Sequence, residues 1–154
     1  MIYSFQPIFD KNSRVLILGS MASVKSLEKG FYYMHPRNRF WSTVSKIVGK
    51  EVPADIEQKK QWLLDNNIAL MDIIYSCNRK GSLDSDITDV VPNDIEQVLN
   101  TANIRAIFCN GRKSFETAQK TYPHLTFYYL PSTSPANAGK WNEEEWLKIR
   151  LYLQ

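Results

Sequence analysis

Residues 14–26 read RVLILGSMASVKS, and the change of character at Gly19 decides the fold. Arg14–Gly19 is a short apolar run closed by glycine, the pattern of a strand buried on both faces. A polar loop, GSMAS (19–23), follows at once. The same succession recurs in IALMDII (68–74), IRAIFCNG (104–111) and LTFYYL (125–130), each leading into a segment rich in Gly, Ser, Asn or basic residues. Helical patterns lie between them. NRFWSTVSKIVG (38–49) sets Phe40, Val44 and Ile47 or Val48 on one face and closes on Gly49. ADIEQKKQWLLDNN (54–67) turns Ile56, Trp62 and Leu63 inward. NDIEQVLNTAN (93–103) carries Asn93 and Glu96 at capping-box spacing. RKSFETAQKTY (112–122) stops at Pro123, and NEEEWLKIRLYL (142–153) opens with Asn142 as cap and turns Trp146, Ile149 and Leu153 inward.

Strands alternating with helices predict an α/β fold, a three-layer α/β/α sandwich whose central, mostly parallel sheet has about four strands. The length of 154 residues suits a single domain over 1–154. In such folds ligands bind beyond the carboxyl ends of the strands. The segments 19–23, 72–86, 110–114 and 131–140 are therefore expected to converge on one edge, beside FYYMHPRNRFW (31–41). That stretch packs five aromatics, a His, a Pro, an Asn and two Arg into eleven residues.

Charge is unevenly spread. Residues 1–50 hold eight Lys or Arg against two acids, whereas residues 51–100 hold four against ten. A basic first third is what a polyanion-binding face requires, although ordinary solvated charges read the same way. Cys77 and Cys109 are too few for a disulfide framework, and their apolar settings predict a reduced, cytoplasmic chain. No apolar run is long enough to span a membrane, and MIYSFQPIFDKNSR lacks the head and cleavage site of a signal peptide.

Several chemistries fail on single residues. GSMASVKS (19–26) approaches a phosphate-binding P-loop, but Val24 stands where the second glycine must let backbone amides wrap the phosphate. There is no GxGxxG and no GxSxG elbow. His35 and His124 lie far apart, so neither metal nor cofactor is expected. Asp84 and Asp86 could pair as acids, or simply cap turns. What remains is a pocket of amides, hydroxyls and aromatics with a basic rim, which suits a nucleobase and its phosphates.

GSMASVKSL, YYMHPRNRFW, LMDIIYSCNRKGSLDSDI and LPSTSPAN together resemble the uracil-DNA glycosylase superfamily, most closely its hypoxanthine-DNA glycosylase branch. The resemblance spans about residues 14–140. It implies a monofunctional enzyme that flips a deaminated base, hypoxanthine or uracil, from DNA and hydrolyses its N-glycosidic bond. It further implies DNA as partner, action as a monomer, and location in the cytoplasm or, on DNA, with the nucleoid. By position in the motifs, Tyr33 is expected to stack on the base, and Gly19, Ser20 and Met21 to contact it through the first loop. Asn38 is expected to hold the attacking water, Asn110 to read the base edge, and Asp72 to contact base or water. Ser23, Lys25, Arg37 and the loop Ser132, Thr133, Ser134, Pro135, Ala136 and Asn137 are expected against DNA. Each residue also has a plainer role available: core packing for Tyr33, a helix N-cap for Asn38, turn residues for Asn110 and 131–137. Two positions depart from the family pattern. Ala22 replaces a usual proline, and Leu130 stands where the classical uracil enzymes carry a histidine. A catalytically weak DNA-binding relative, or an unrelated α/β enzyme for small phosphorylated ligands, stays open on sequence alone.

Overall fold

A computed structural model describes residues 1–154, the side chain of Ala138 excepted. In chain order the elements are β1 (Ile2–Tyr3), β2 (Val15–Gly19), α1 (Val24–Lys29), α2 (Phe40–Val48), α3 (Ile56–Asp65), β3 (Ile68–Asp72), β4 (Ile74–Asn78), β5 (Thr88–Pro92), α4 (Glu96–Leu99), β6 (Ala106–Asn110), α5 (Arg112–Thr121), β7 (Tyr128–Leu130), α6 (Glu143–Leu147) and α7 (Arg150–Leu153).

The principal sheet has the order β3-β2-β6-β7, and all its pairings are parallel. β2 sits inside it and is buried at every residue, which is why its sequence is an unbroken apolar run rather than an alternation. Val15 and Ile17 point into one core with Phe40, Trp41, Leu63 and Trp146. Leu16 and Leu18 point into the other, with Met71, Val98 and Ala118. The two-residue period of the strand thus divides a single hydrophobic segment between two helical layers. The α/β/α expectation holds, with four parallel strands.

Three departures have local causes. The run 68–74 is not one strand. It breaks at Ile73, whose N–H donates to the Gly19 carbonyl (2.8 Å) and whose carbonyl accepts from the Asn93 N–H (2.7 Å). The chain then enters a second, antiparallel sheet of order β1-β4-β5, which the apolar pattern did not announce because β5 is mostly exposed. The helix at 93–103 shrinks to α4, since Asn93 does not cap it. Its side-chain amide donates instead to the Asp72 carbonyl (3.1 Å), and Asp94 accepts from the Glu96 N–H (3.0 Å). The last helix is broken into α6 and α7 around Lys148–Ile149, although Asn142 caps it as expected through the Glu144 N–H (3.1 Å). No helix is long and apolar enough to cross a membrane.

Candidate active site

Parallel strands deliver their carboxyl ends to one edge. The Gly19–Ser23 loop after β2, Asp72 ending β3, Asn110 ending β6 and the 132–137 loop after β7 meet there around a cavity of ≈260 Å³. Tyr32, Tyr33 and Asn38 close one side, and Ser82–Asp84 close another. The aromatic stretch divides its labour. Phe31, Tyr32, Phe40 and Trp41 are buried in the core. The Tyr32 hydroxyl donates to the carbonyls of Phe5 and Gln6 (3.2 and 3.0 Å), and the Trp41 indole N–H donates to the Tyr32 carbonyl (3.1 Å).

Tyr33 is held differently. Its backbone is left-handed, φ 54°, a conformation strained for a bulky residue and concentrated at functional sites. One face of its ring stacks on Phe40, centroids 4.2 Å apart and planes 19° from parallel. Phe40 lies in the core and Tyr33 lines the cavity, so the ring stands between the two. The Tyr33 hydroxyl ends beneath β2, buried and without a hydrogen-bond partner among the described residues. Gly19 makes this approach possible: a Cβ there would stand 2.5 Å from the hydroxyl and 2.4 Å from Asp72 Oδ1.

Asp72 is 2 % exposed, and its Oδ2 also has no partner among the described residues. Burial, helped by the negative charge of Asp84 and opposed by Arg79, pushes its carboxyl up to about 7. A carboxyl in such a place is half protonated near neutrality. Burial and the charge of Asp72 push the Tyr33 hydroxyl up as well, against the influence of the Asn110 amide. Asp84 accepts from the Ser20 hydroxyl (2.9 Å). Crowding around its carboxylate raises it too, while Ser20 and Arg79 favour the charged form. The residue is exposed on its outer side, where water screens the effect. The Arg79 guanidinium folds inward and donates to the carbonyls of Gly81 and Ala22, tying the 79–84 segment to the first loop.

Asn38 Oδ1 accepts from the Phe40 N–H (2.9 Å), fastening the entrance of α2. That uses one of two lone pairs and neither amide hydrogen, so the group retains both an acceptor and a donor at the cavity. Asn110 and Thr133 exchange two bonds: the Asn110 amide donates to Thr133 Oγ1 (3.0 Å), and Asn110 Oδ1 accepts from the Thr133 N–H (3.0 Å). The Thr133 carbonyl accepts from the Arg39 N–H (3.0 Å). Gly111, at φ 94°, allows the loop to close over it, since a Cβ would meet Ser132 Cβ at 3.1 Å. Among the described residues no group of three or more His, Cys, Asp or Glu side chains is placed to hold a metal ion.

A family model described as the uracil DNA glycosylase superfamily matches residues 6–154. The chain belongs to that superfamily. It is a DNA glycosylase, and DNA is its substrate. A protein named hypoxanthine DNA glycosylase from Methanosarcina acetivorans is 36% identical over 148 residues, 92% of this chain and 93% of its own. One of the same name from Methanosarcina barkeri is 33% identical over 114 residues, 73% of this chain and 72% of its own. A solution NMR structure of a candidate uracil DNA glycosylase from Methanosarcina acetivorans superposes with a TM-score of 0.84 at 33% identity, covering 98% of this chain and 97% of that one.

In this glycosylase, Gly19, Ser20, Met21, Ser23, Tyr33, Asn38, Asp72, Asn110, Ser132, Thr133, Ser134, Ala136 and Asn137 all border the one cavity. Lys25, Arg37 and Pro135 do not. Lys25 is exposed and pairs with Glu28 at 3.7 Å, and Arg37 is exposed. Thr133 requires correction as a surface contact: its side chain is fully buried, held by Asn110, and shapes the loop from within. The loop's other hydroxyls serve its own turns, Ser132 Oγ accepting from the Ser134 N–H (3.1 Å) and Ser134 Oγ from the Ala136 N–H (3.2 Å). Ser23 similarly caps α1 through the Ser26 N–H (3.1 Å). Arg79 turns inward, where it is a countercharge to Asp72. Leu130 is 2 % exposed and packs in the core, so nothing at that position reaches the cavity. Asp84 is the site residue that the pattern underrated. Nothing local separates it from Asp86, and its partner Ser20 is 64 positions away.

Proposed function

We propose that this glycosylase removes hypoxanthine, and to a lesser extent uracil, from DNA by hydrolysing the N-glycosidic bond of a base flipped out of the duplex. The observation that carries the reading is Tyr33, stacked on the core residue Phe40 and lining, together with Asp72, a small polar cavity; the reading gives its ring face to the base. A flipped base is held by stacking and read along its edge by hydrogen bonds. Tyr33 supplies the flat surface. Backbone groups of Gly19–Met21 and the polar atoms of Asp72 lie around it, while Asn110 fixes the wall. The names borne by the Methanosarcina relatives favour hypoxanthine.

Asn38 holds the attacking water. Its amide is too weak a base to take a proton early, but a dissociative reaction with an oxocarbenium-like sugar needs only a weak nucleophile in position. The loop 132–137, with exposed Ala136 at its tip, presses on the duplex where the base has left, and Arg37 and Lys25 contribute charge toward the phosphates. The enzyme acts as a monomeric single domain in the cytoplasm, without metal or cofactor.

Duplexes carrying a single inosine, uracil or G·U mismatch, incubated with the protein and then treated with alkali, test the reading. Strand breakage on the inosine duplex is expected, with slower breakage at uracil. DNA binding with no breakage on any duplex would identify a non-catalytic relative, and neither breakage nor salt-sensitive binding would overturn the reading.

A further inference from the structure

Excision of a purine poses a problem that Asn38 does not solve. When the C1′–N9 bond breaks, its electron pair stays with the base, and a purine anion leaves slowly unless it is neutralised. Leu130, at the position where the classical enzymes of the superfamily carry a histidine, is packed in the core. A donor to the leaving base must come from elsewhere in the cavity.

Resting on the hypoxanthine reading above, we propose that Asp72 in its protonated form is the acid that donates to the departing base, and that Asp84 is the positioning residue that keeps the proton there. Asp72 is the one deeply buried carboxyl bordering the cavity, and its Oδ2 has no partner among the described residues. Its backbone is fixed on two sides: β3 pairs along its whole length with β2, and the Asn93 amide donates to the Asp72 carbonyl. Around the carboxyl stand Gly19 from β2, Tyr32 and Tyr33 from the segment before α2, and Asp84 and Arg79 from the segment after β4. Lys113 at the start of α5 acts on Asp84 rather than on Asp72. Burial and the like charge of Asp84 favour the neutral form, and Arg79 alone among these neighbours opposes it. Ser20 and Arg79 meanwhile favour the charged form of Asp84 against the partial burial that raises it, and its exposed side leaves that charge solvated. A buried carboxyl beside an exposed one that accepts from Ser20 is suited to an acid with a like-charged partner.

The step balances. The C1′–N9 bond breaks with its pair passing to the base, and the Asp72 proton moves to the base, which leaves neutral. The water held at Asn38 forms the new C1′–O bond and loses a proton to solvent. The Asp72 carboxylate then takes a proton back from solvent through the open cavity.

Single-turnover cleavage of an inosine duplex, followed across pH, tests this. The wild-type rate should fall above about pH 7 as Asp72 ionises. Asp72→Asn should lower the rate by about 10²–10⁴-fold and abolish that limb. Asp84→Asn should move the limb to lower pH, because a charge holding the proton on Asp72 is gone; a purely structural Asp84 would lower the rate without moving it. An infrared carbonyl band of a protonated carboxyl, present in wild type at pH 6 and absent from Asp72→Asn, reports the proton independently of turnover. Wild-type cleavage with an unchanged rate and limb in Asp72→Asn, or no such band, overturns the proposal alone. A wild-type protein inert on inosine overturns it together with the hypoxanthine reading.

Discussion

The Tyr33 hydroxyl lies where a side chain on Gly19 would begin, 2.5 Å from the Cβ position. Gly19 is the last residue of β2, and its φ is not left-handed, so the requirement for glycine is one of space. A methyl group would have to displace the Tyr33 ring or the Asp72 carboxyl, both of which border the cavity. Neither can move cheaply, since Tyr33 is stacked on Phe40 and Asp72 is buried. Gly19→Ala is therefore expected to fold, to lose about 1–3 kcal/mol of stability, and to lose most of its cleavage of an inosine duplex. Denaturant melts and single-turnover rates check the two parts.

Asn38 joins helix entry to the cavity through different atoms. Its oxygen fastens the Phe40 N–H, while its amide hydrogens are uncommitted. Asn38→Ala removes both and should cost about 1 kcal/mol of stability and nearly all turnover, while DNA binding persists. Asn38→Asp keeps the acceptor, so its stability should stay near wild type while turnover still falls. Equal melting midpoints for Asp and wild type, with a lower one for Ala, would separate the bond at the helix entrance from the chemistry. Full activity in Asn38→Ala would end the case for Asn38 as the holder of water.

The sandwich was legible in the sequence because β2, β3 and β6 are continuous apolar runs ended by polar loops, a pattern that burial on both faces enforces, while the edge strand β7 shows itself by its aromatics. The convergence of the loops followed from parallel topology alone. The second sheet was not legible, because β5 is exposed and β4 is joined to β3 through one irregular residue, Ile73. Within the site, residue identity marked the segments but not the direction of each side chain. Thr133 and Arg79 turn inward for partners 23 and 57 positions away, and no local periodicity encodes such pairings.

Asp72 ties stability to pH, and the sign follows from its environment. Its carboxyl titrates near 7 in the folded chain and near 4 in the unfolded one. Below about pH 4 both states hold the proton, and the carboxyl's full contribution is present. Between about 4 and 7 the unfolded chain releases the proton while the folded chain keeps it, so stability falls by about 1.4 kcal/mol per pH unit. The loss is complete above about 7. Asp84, also raised, acts in the same direction. Asp72→Asn should thus melt close to wild type at pH 4 and distinctly higher at pH 8, a few kcal/mol more stable. Identical pH dependence in the two proteins would mean that Asp72 is ionised throughout, with its charge satisfied.

Asn110 and Thr133 offer the converse case, a pair in the cavity wall whose contribution is mechanical. Their reciprocal bonds form a buried side-chain link between the end of β6 and the 132–137 loop. Asn110→Ala would leave the Thr133 N–H without its acceptor in a fully buried place, at a cost of about 1–3 kcal/mol. Because the Thr133 carbonyl also receives the Arg39 N–H, loosening the loop would disturb the residues flanking Asn38. The expected signature is weaker binding to a duplex bearing a non-hydrolysable inosine analogue, together with a slower chemical step. Thr133→Ser alone, which keeps both the backbone N–H and the hydroxyl, should retain most of the binding and of the chemical step. If Asn110→Ala instead bound the duplex normally but cleaved inosine poorly relative to uracil, Asn110 would be reading the base edge directly rather than holding the loop.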